Sequence, residues 1–439
     1  MFSLKYQKYQ TKVKSKETTF TSTSILWRCI FCIIILFLHP CFGQDWLQWG
    51  GPKGNFIVES KSLAENWPAD GPKRLWKRPL GEGYSTILYK DGQLYTMTSE
   101  GDSEIIISLD AKTGETIWVH RYLRDIWPEM RVGYGVGPNA SPLIVNNQII
   151  AIGIAGQMRC LDLNTGKLIW KRNLPEEFGR RKRMEEYGYS ASPLRYNASI
   201  IVHVGGEEHA VIAVDPKTGS NLWKSAPGGV SYAQSSIITL AGRDQYIYFS
   251  PEGINGLDPK TGELLWHFVI PVDNGNHLSP IVKCDESHLF VSSQFDSGGG
   301  RLLKILPTKN NFNVQQVWFD SNLRGSCWTN FRIDDYIYGS AGGHEFSQLT
   351  AFEWRTGKIA WQYRGHRMAQ CLYADNKLLF LDEKGKLGIA KVSPAGISIL
   401  DTAQVASRIS WTLPTLVSTT LYVRDRKNIL ALDLSRNSK

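Results

Sequence analysis

Five segments of the chain share one pattern of apolar and polar positions. In each, a short apolar run ends at Asp or Glu, a Gly follows four residues later, and a Trp comes four residues after that Gly. Two apolar runs joined by such a turn predict a β-hairpin, because Asp accepts hydrogen bonds from turn N–H groups and Gly adopts a positive φ without strain. The five sets are Asp110, Gly114 and Trp118; Asp162, Gly166 and Trp170; Asp215, Gly219 and Trp223; Asp258, Gly262 and Trp266; and Glu353, Gly357 and Trp361.

Three weaker copies extend the series. Residues 314–318 form the outgoing strand of one copy, Val392 holds the acidic position of a second, and residues 431–433 begin a third. The third copy has no outgoing strand of its own, whereas Trp76 lies on a strand that has no incoming partner. Pairing these two strands gives eight units of about 45 residues, the length of a four-stranded propeller blade. We therefore predict an all-β fold: one eight-bladed β-propeller of antiparallel blades over residues 74–439, closed by its N- and C-terminal strands.

A second repeated element supports the count of eight. A segment rich in Gly, Ser, Ala and Pro follows each outgoing strand, for example residues 187–193 and 407–414. Small residues suit the innermost strand of a blade, because the sheets crowd together toward the axis of the ring. We interpret these segments as the innermost strands.

The same segments carry aromatic, amide and cationic side chains. If these point to one mouth of the channel, they would form a pocket suited to stacking and hydrogen bonding on a flat or sugar-like ligand. The alternative is ordinary packing between inner strands, and His277 is interpreted as a structural histidine because no second His or carboxylate accompanies it. The candidate channel-mouth residues are Tyr84, Arg131, Tyr134, Tyr189, Tyr232, His277, Trp328, Arg367, Gln370 and Trp411.

Two connections between blades are longer than a propeller requires. They are residues 119–132 and 171–186, and long loops on a rigid scaffold often carry function. The basic run 180–183 is flanked by Glu on both sides. This pattern favours a solvated short helix, with a patch for an anionic partner as the alternative.

The N-terminal region predicts export. Residues 1–43 hold six Lys or Arg, an apolar run at 29–38 and small residues near Gly43, a pattern typical of a cleaved secretory signal peptide. A retained membrane anchor is the alternative, although the run is about half the length of a membrane helix. Lipid attachment at Cys41 is not expected, because Pro40 departs from the lipoprotein pattern. The mature chain is expected in the periplasm or outside the cell, with residues 44–73 packed on the propeller as an N-terminal segment.

Composition and charge narrow the function classes. The chain of 439 residues is 42% hydrophobic and 11% aromatic, which is enough for a large core. Its formal charge is +9, but most of that excess lies in residues 1–43, so a nucleic-acid partner is not expected. Outside residues 1–43 the Cys residues show no metal-binding spacing. We interpret Cys160, Cys284, Cys327 and Cys371 as free thiols, with a disulfide between Cys327 and Cys371 as the alternative for those two.

The repeat resembles that of a known superfamily. The Asp-x-x-Thr-Gly-x-x-x-Trp segments resemble the repeats of the pyrroloquinoline-quinone-type (PQQ-like) β-propellers, and residues 45–52 (DWLQWGGP) are similar to the opening of exported bacterial members. The resemblance covers about residues 45–434 and implies the propeller fold. It does not fix the activity, because the superfamily includes quinoprotein alcohol and glucose dehydrogenases as well as the outer-membrane barrel-assembly lipoprotein, a scaffold without a cofactor.

The resemblance also implies which groups this chain would need if it were a quinoprotein dehydrogenase. Such an enzyme holds Ca²⁺ through carboxylate and amide oxygens beside the quinone, with a catalytic Asp and often an adjacent Cys-Cys disulfide. The small-residue segments contain no Asp or Glu, only Glu82 borders the first, and the chain has no Cys-Cys pair. The sequence favours an exported, monomeric, non-enzymatic scaffold that binds a protein or glycan at the channel mouth, with no resident metal or cofactor. The alternative is a quinoprotein alcohol or sugar dehydrogenase with PQQ and Ca²⁺, or another redox enzyme.

Overall fold

Strands are the main secondary structure in the computed structural model. The structure describes residues 44–179, 187–206, 208–225, 228–229, 231–271, 277–294, 298–309, 311–325 and 329–436. The predicted signal peptide at 1–43, the basic run 180–183, Cys327 and Trp328 lie outside the described residues. Among the described residues, no helix is long and apolar enough to cross a membrane.

Eight four-stranded antiparallel sheets form the blades of a ring, which confirms the predicted propeller. We number the blades I to VIII, and in each blade the first strand lies nearest the axis. Blade I contains β3 (Leu88–Lys90), β4 (Gln93–Glu100), β5 (Ser103–Asp110) and β6 (Thr116–Leu123), and blade II contains β7 (Leu143–Val145), β8 (Gln148–Ile152), β9 (Gln157–Asp162) and β10 (Leu168–Asn173). Blade III contains β11 (Leu194–Tyr196), β12 (Ser199–His203), β13 (Val211–Val214) and β14 (Asn221–Lys224), and blade IV contains β15 (Ser236–Leu240), β16 (Arg243–Ser250), β17 (Gly253–Leu257) and β18 (Leu264–Val269).

The remaining strands complete the ring. Blade V contains β19 (Val282–Lys283), β20 (His288–Ser293), β21 (Gly299–Pro307) and β22 (Phe312–Asp320), and blade VI contains β23 (Asn330–Ile333), β24 (Tyr336–Ala341), β25 (Gln348–Glu353) and β26 (Ile359–Tyr363). Blade VII contains β27 (Gln370–Ala374), β28 (Lys377–Leu381), β29 (Lys386–Ser393) and β30 (Gly396–Gln404). Blade VIII contains β31 (Thr415–Val417), β32 (Thr420–Arg424), β33 (Asn428–Asp433) and the N-terminal β2 (Lys73–Pro79). Two short helices, α1 (Leu174–Phe178) and α2 (Gly343–Phe346), lie in connections.

The ring closes as predicted. The N-terminal β2 is the outermost strand of blade VIII and pairs antiparallel with β33, with Trp76 opposite Ala431. Blade VIII is thus assembled from both ends of the propeller. Closure removes the two exposed sheet edges that an open ring would present.

The Trp of a repeat docks on the next blade. Trp118 of blade I donates its indole N–H to the backbone oxygen of Leu163 in blade II at 2.9 Å. Its ring lies against Gly166, where an added Cβ would approach the ring to 2.5 Å and where φ is +67°. Glycine therefore serves both the turn and the packing. The same indole bond to the next blade joins Trp76 to Ala111, Trp170 to Pro216, Trp223 to Pro259, Trp318 to Trp354 and Trp361 to Ser393.

Blade IV departs from this arrangement, and the turn of blade V at 308–311 contains no Gly. The indole N–H of Trp266 donates to Gln245 Oε1 within its own blade at 2.5 Å. Its ring lies close to Gly256 of the same sheet, where an added Cβ would approach it to 2.3 Å. With no glycine turn in the neighbouring blade, the Trp is anchored by its own blade.

The small-residue segments lead into the innermost strands instead of forming them, which corrects our interpretation. Residues 407–414 precede β31, for example, and residues 187–193 precede β11. Their polar side chains join neighbouring blades: Ser141 N–H donates to Ser192 Oγ at 2.9 Å, and Ser192 N–H donates to Gln234 Oε1 at 2.7 Å. We call this chain of contacts between blades the inner belt. It supplies partners for buried backbone groups near the axis.

Connections alternate between the two faces of the ring. We call the face that carries the blade-to-blade connections the loop face, and the opposite face, which carries the Asp-Gly hairpin turns, the turn face. Residues 44–72 run across the turn face. Trp46 is fully buried there and exchanges backbone hydrogen bonds with Tyr89 of blade I at 2.8 and 3.0 Å. The short β1 (Ile57–Val58) pairs in parallel with β27 of blade VII, so this segment fills part of the channel.

The docking contact predicts a graded effect of glycine substitution within blade IV. Gly262 and Gly242 both have positive φ, but an added Cβ would lie 2.4 Å from the Trp223 ring at Gly262 and within 4 Å of nothing at Gly242. Gly242→Ala should cost about 1 to 2 kcal/mol of unfolding free energy from backbone strain. Gly262→Ala should cost about 1 to 3 kcal/mol more from overpacking. Urea unfolding measures both, and equal losses would show that the Trp contact is not limiting.

Ring closure predicts that the C-terminal strand is indispensable. Deleting residues 430–439 removes most of β33, which is the partner of β2, and should abolish the cooperative thermal transition. A truncation after Arg436 is the control, because it keeps all of β33. Circular dichroism melting compares the two, and a shorter chain that melts like the full chain would show that blade VIII closes differently.

Candidate functional site

An aromatic patch on the loop face brings together three of the predicted residues. Tyr84, Tyr134 and Trp411 come from the connections that enter blades I, II and VIII. The Trp411 ring stacks on Tyr84 with centroids 5.6 Å apart and contacts Tyr134 at 5.4 Å. The Tyr84 hydroxyl donates to the backbone oxygen of Tyr134. Tyr134 is 50% exposed, so the patch (Tyr84, Tyr134 and Trp411) presents aromatic surface to solvent.

Charged residues that we did not select from the sequence support this patch. Arg424 is buried beneath it and donates to the backbone oxygen of Met97 at 2.7 Å. Burial lowers its guanidinium pKa to about 10, which leaves it charged at neutral pH. Arg426 pairs with Glu82 at 2.8 Å beside Gly135. Both arginines lie at or after the end of β32, a position that the repeat pattern does not mark.

Other predicted residues have packing contacts. Tyr189 is 4% exposed and donates its hydroxyl to the backbone oxygen of Val204 at 2.9 Å. Tyr232 contacts Tyr187 edge to face at 5.4 Å. Gln370 is buried and donates to the backbone oxygen of Trp411 at 2.9 Å, so it belongs to the inner belt. Arg131 and Arg367 are exposed. Ligand binding by these residues stays a prediction.

His277 is fully buried. Its ring stacks on Phe249 with centroids 4.6 Å apart, and its Nδ1 lies 2.5 Å from Ser293 Oγ. Burial, with the nearby Arg301 charge, lowers its pKa to about 4. The imidazole is therefore neutral at pH 7, in keeping with a structural histidine.

Residues 119–123 of the predicted long connection belong to β6, and the rest, 124–132, packs against the ring. Trp127 and Met130 are buried in the apolar core of blades II and III. Arg124 donates to the backbone oxygens of Gly101 at 2.8 Å and Val136 at 3.2 Å. These contacts hold the approach to Tyr134 in place.

The three described thiols, Cys160, Cys284 and Cys371, are buried and free, and burial raises each pKa to about 12.

A buried carboxyl lies beneath the loop face between blades I and II. Glu104 has no exposed surface, and its Oε1 accepts the Ile154 N–H at 2.8 Å. The Arg159 guanidinium lies 3.7 Å from the centre of the Tyr122 ring beside it. Burial raises the pKa of Glu104 despite the Arg124 and Arg159 charges. The repeat pattern does not mark this group, and its sequence signal is a Glu inside the apolar strand β5.

The repeat, the closure and the docking Trp residues define the class of protein: an eight-bladed β-propeller of PQQ-like repeats. The chain belongs to the PQQ_2 family, described as outer membrane protein assembly factor BamB, whose model matches residues 102–363, more than half of the chain.

Relatives fall into two groups. The quinoprotein alcohol dehydrogenase PedH of Pseudomonas putida is 28% identical over 142 residues, which cover 31% of this chain and 22% of PedH. The outer membrane protein assembly factor BamB of Burkholderia pseudomallei is 24% identical over 243 residues, which cover 46% of this chain and 59% of that protein. The chain thus spans less than two thirds of either relative.

A solved structure confirms the fold. A europium-containing methanol dehydrogenase superposes with a TM-score of 0.63 at 14% identity, over 89% of each chain. At this identity the similarity concerns the architecture alone.

Ca²⁺ beside a quinone would need oxygen ligands from the described residues. Among them, no group of three or more His, Cys, Asp or Glu side chains is placed to hold a metal ion. Four loop-face carboxylates have partners: Glu82 pairs with Arg426, Glu383 pairs with Arg408, and Asp382 and Asp425 accept turn N–H groups. A hard cation takes six or more oxygen ligands, and these four carboxylates would have to leave their present partners to bind one.

The buried carboxyl predicts a pH-dependent stability. Because the folded-state pKa of Glu104 is raised, its contribution is full below the unfolded pKa of about 4.3 and is lost as pH rises through the folded value. Glu104→Gln should therefore raise the melting temperature relative to wild type at pH 8, and the gain should shrink as pH falls. Glu100→Gln, an exposed partner of Arg121, is the control. Melting between pH 4 and 9 tests this, and a pH-independent difference would contradict it.

Proposed function

We propose that the chain is an exported, non-enzymatic scaffold that binds a protein partner through the aromatic patch on the loop face. The observation that carries the proposal is the convergence of Tyr84, Tyr134 and Trp411 from three blades, with half of Tyr134 left exposed. Exposed aromatic side chains are enriched at protein interfaces, because they bury large areas at low entropic cost.

The surroundings of the patch suit a protein surface. Val132 is 42% exposed close to Tyr134 in sequence, and Phe346 of α2 is 78% exposed on the same face. Exposed Arg131 and Arg408 add charged groups at this face, as expected for a polar rim around apolar anchors. The rigid ring and the inner belt hold these connections in place, so a partner would meet a preformed surface and little ordering would be needed.

The family supports this proposal. The matching model and one group of relatives are named as outer membrane protein assembly factors, which fits an exported chain with a protein partner. The competing function is that of a quinoprotein dehydrogenase, which the other group of relatives performs by name. The partners of Glu82, Glu383, Asp382 and Asp425 favour the scaffold, because these carboxylates are engaged in structural contacts.

A photo-crosslinking amino acid at position 134 tests the protein partner. It should yield one discrete protein adduct in cells that export the chain. The same amino acid at position 222 is the control, because Leu222 is 55% exposed on the outermost strand of blade III. With the partner purified, Tyr134→Ala should weaken binding at least tenfold and Leu222→Ala should not. Adducts at both positions or at neither would contradict the proposal, as would Tyr134-dependent binding of a glycan alone.

Quinone titration tests the competing function. The purified chain is mixed with PQQ and Ca²⁺, the quinone absorbance is followed, and dye reduction is measured with alcohols and sugars. We expect neither stoichiometric binding nor turnover. Tight binding with turnover would overturn the scaffold, whatever the crosslinking result.

A further inference from the structure

A cavity of about 650 Å³ lies inside the ring near the turn face. One wall is the N-terminal segment, including Gln48, Trp49 and residues 53–57. The other wall is formed by the innermost strands of blades III to VI, namely β11, β15, β19 and β23. This volume is within the range of small-molecule sites.

The N-terminal segment covers one half of the channel and leaves the other half open. It bonds to blade I through Trp46 and Tyr89, to blade II through Leu47 and Ile144 at 2.9 Å, and to blade VII through β1. Ser60 Oγ donates to the Ser418 backbone oxygen of blade VIII at 2.6 Å. The cavity lies where this cover ends.

The residue type near the end of the innermost strand changes between the two halves. On the covered blades this position is apolar or aromatic: Tyr89, Ile144, Tyr373 and Leu416. On the open blades it is polar or cationic: Arg195, Thr239, Lys283 and Arg332. The cover accounts for the first set, because it buries those side chains. Packing does not account for three cations on the open side.

The charged side chains that line the cavity are all cationic. Its lining residues include four cations and no Asp or Glu: Lys53, Arg195, Lys283 and Arg332. Two of them contact exposed carboxylates outside the cavity, Lys53 with Glu59 at 3.2 Å and Lys283 with Glu286 at 2.8 Å. Such exposed pairs contribute little and leave the cations able to bind other anions. A concave, partly apolar site concentrates the field of its charges.

The two arginines supply directional donors. Arg195 Nε donates to the Asn197 backbone oxygen at 3.0 Å, and Arg332 Nη1 donates to the Asp334 backbone oxygen at 2.9 Å. Within the described part of the chain neither guanidinium forms an ion pair. A guanidinium has five N–H donors and matches carboxylate, phosphate or sulfate in a two-bond geometry.

The strand edges and the aromatic side chains complete the site. Each of β11, β15, β19 and β23 has one partner strand, so its other edge faces the axis. Apolar surface comes from Trp49, Phe56 and Phe331. A ligand with a compact ring or carbon body and several acidic groups would match both kinds of surface.

We propose that this cavity is a binding site for a small polyanion, a molecule with two or more carboxylate, phosphate or sulfate groups. It lies near the turn face, away from the aromatic patch on the loop face, and does not depend on the proposed function. Tyr134→Ala should therefore bind such anions as wild type does, so failure of either proposal leaves the other open to its own test.

Calorimetric titration with citrate, pyrophosphate and a sulfated disaccharide tests the site and separates the three sources of negative charge. Glucose is the neutral control. At least one anion should bind with one-to-one stoichiometry, raise the melting temperature with concentration, and bind more weakly as salt is raised. Glucose should not bind. If none of the three anions binds at millimolar concentration, or if glucose binds equally well, the proposal is overturned.

The variant Arg195→Gln/Arg332→Gln places the binding in the cavity. It should lower the affinity of the bound anion at least tenfold while keeping the melting temperature of the free protein, because both side chains contact the cavity and not the core. The control Arg121→Gln/Arg355→Gln removes the same charge from exposed pairs with Glu100 and Asp335 outside the cavity. Its affinity should stay within twofold of wild type. Equal losses in both variants would indicate non-specific attraction to net charge and would overturn the site.

Discussion

The propeller depends on the contact between the Trp of one blade and the glycine turn of the next. The indole N–H donates a hydrogen bond to the backbone of the turn, and the indole ring packs on the Gly. The outermost strand of one blade and the turn of the next blade therefore fix each other's position. This contact recurs at five of the eight junctions between blades, where Gly114, Gly166, Gly219, Gly262 and Gly357 lie against the Trp of the preceding blade. Where the turn is missing, in blade V, Trp266 bonds within its own blade, and the interface relies instead on the apolar cluster that blades IV and V share.

The two faces of the ring have different chemistry because different parts of the chain cover them. On the loop face, the connections between blades meet near the axis and are joined by the inner belt, which holds aromatic residues such as Tyr84 and Trp411 in contact. On the turn face, residues 44–72 cross from blade II to blade VIII and bury apolar side chains. The part they leave uncovered is the polar half of the channel.

The sequence predicts the fold in detail because the repeat is local. Asp, Gly and Trp spaced four residues apart specify a hairpin, and counting the hairpins gives the blades and the closure through Trp76. The site is harder to predict, because Tyr84, Tyr134 and Trp411 lie in three different repeats and only the closed ring brings them together. Arg195 and Arg332 reveal their role only when the position of residues 53–57 is known. The small-residue segments were misassigned because crowding near the axis does not distinguish a strand from the connection before it.

Pairing β2 with β33 also constrains the order of folding. Seven blades are built from strands that are close in sequence, and their hairpins close short loops. Blade VIII joins strands from opposite ends of the propeller, so its last pairing closes the longest loop of the ring. The entropic cost of bringing these ends together grows only logarithmically with loop length. Until they meet, however, the partly formed ring has two open strand edges, and this intermediate is the species most exposed to misassociation with other chains.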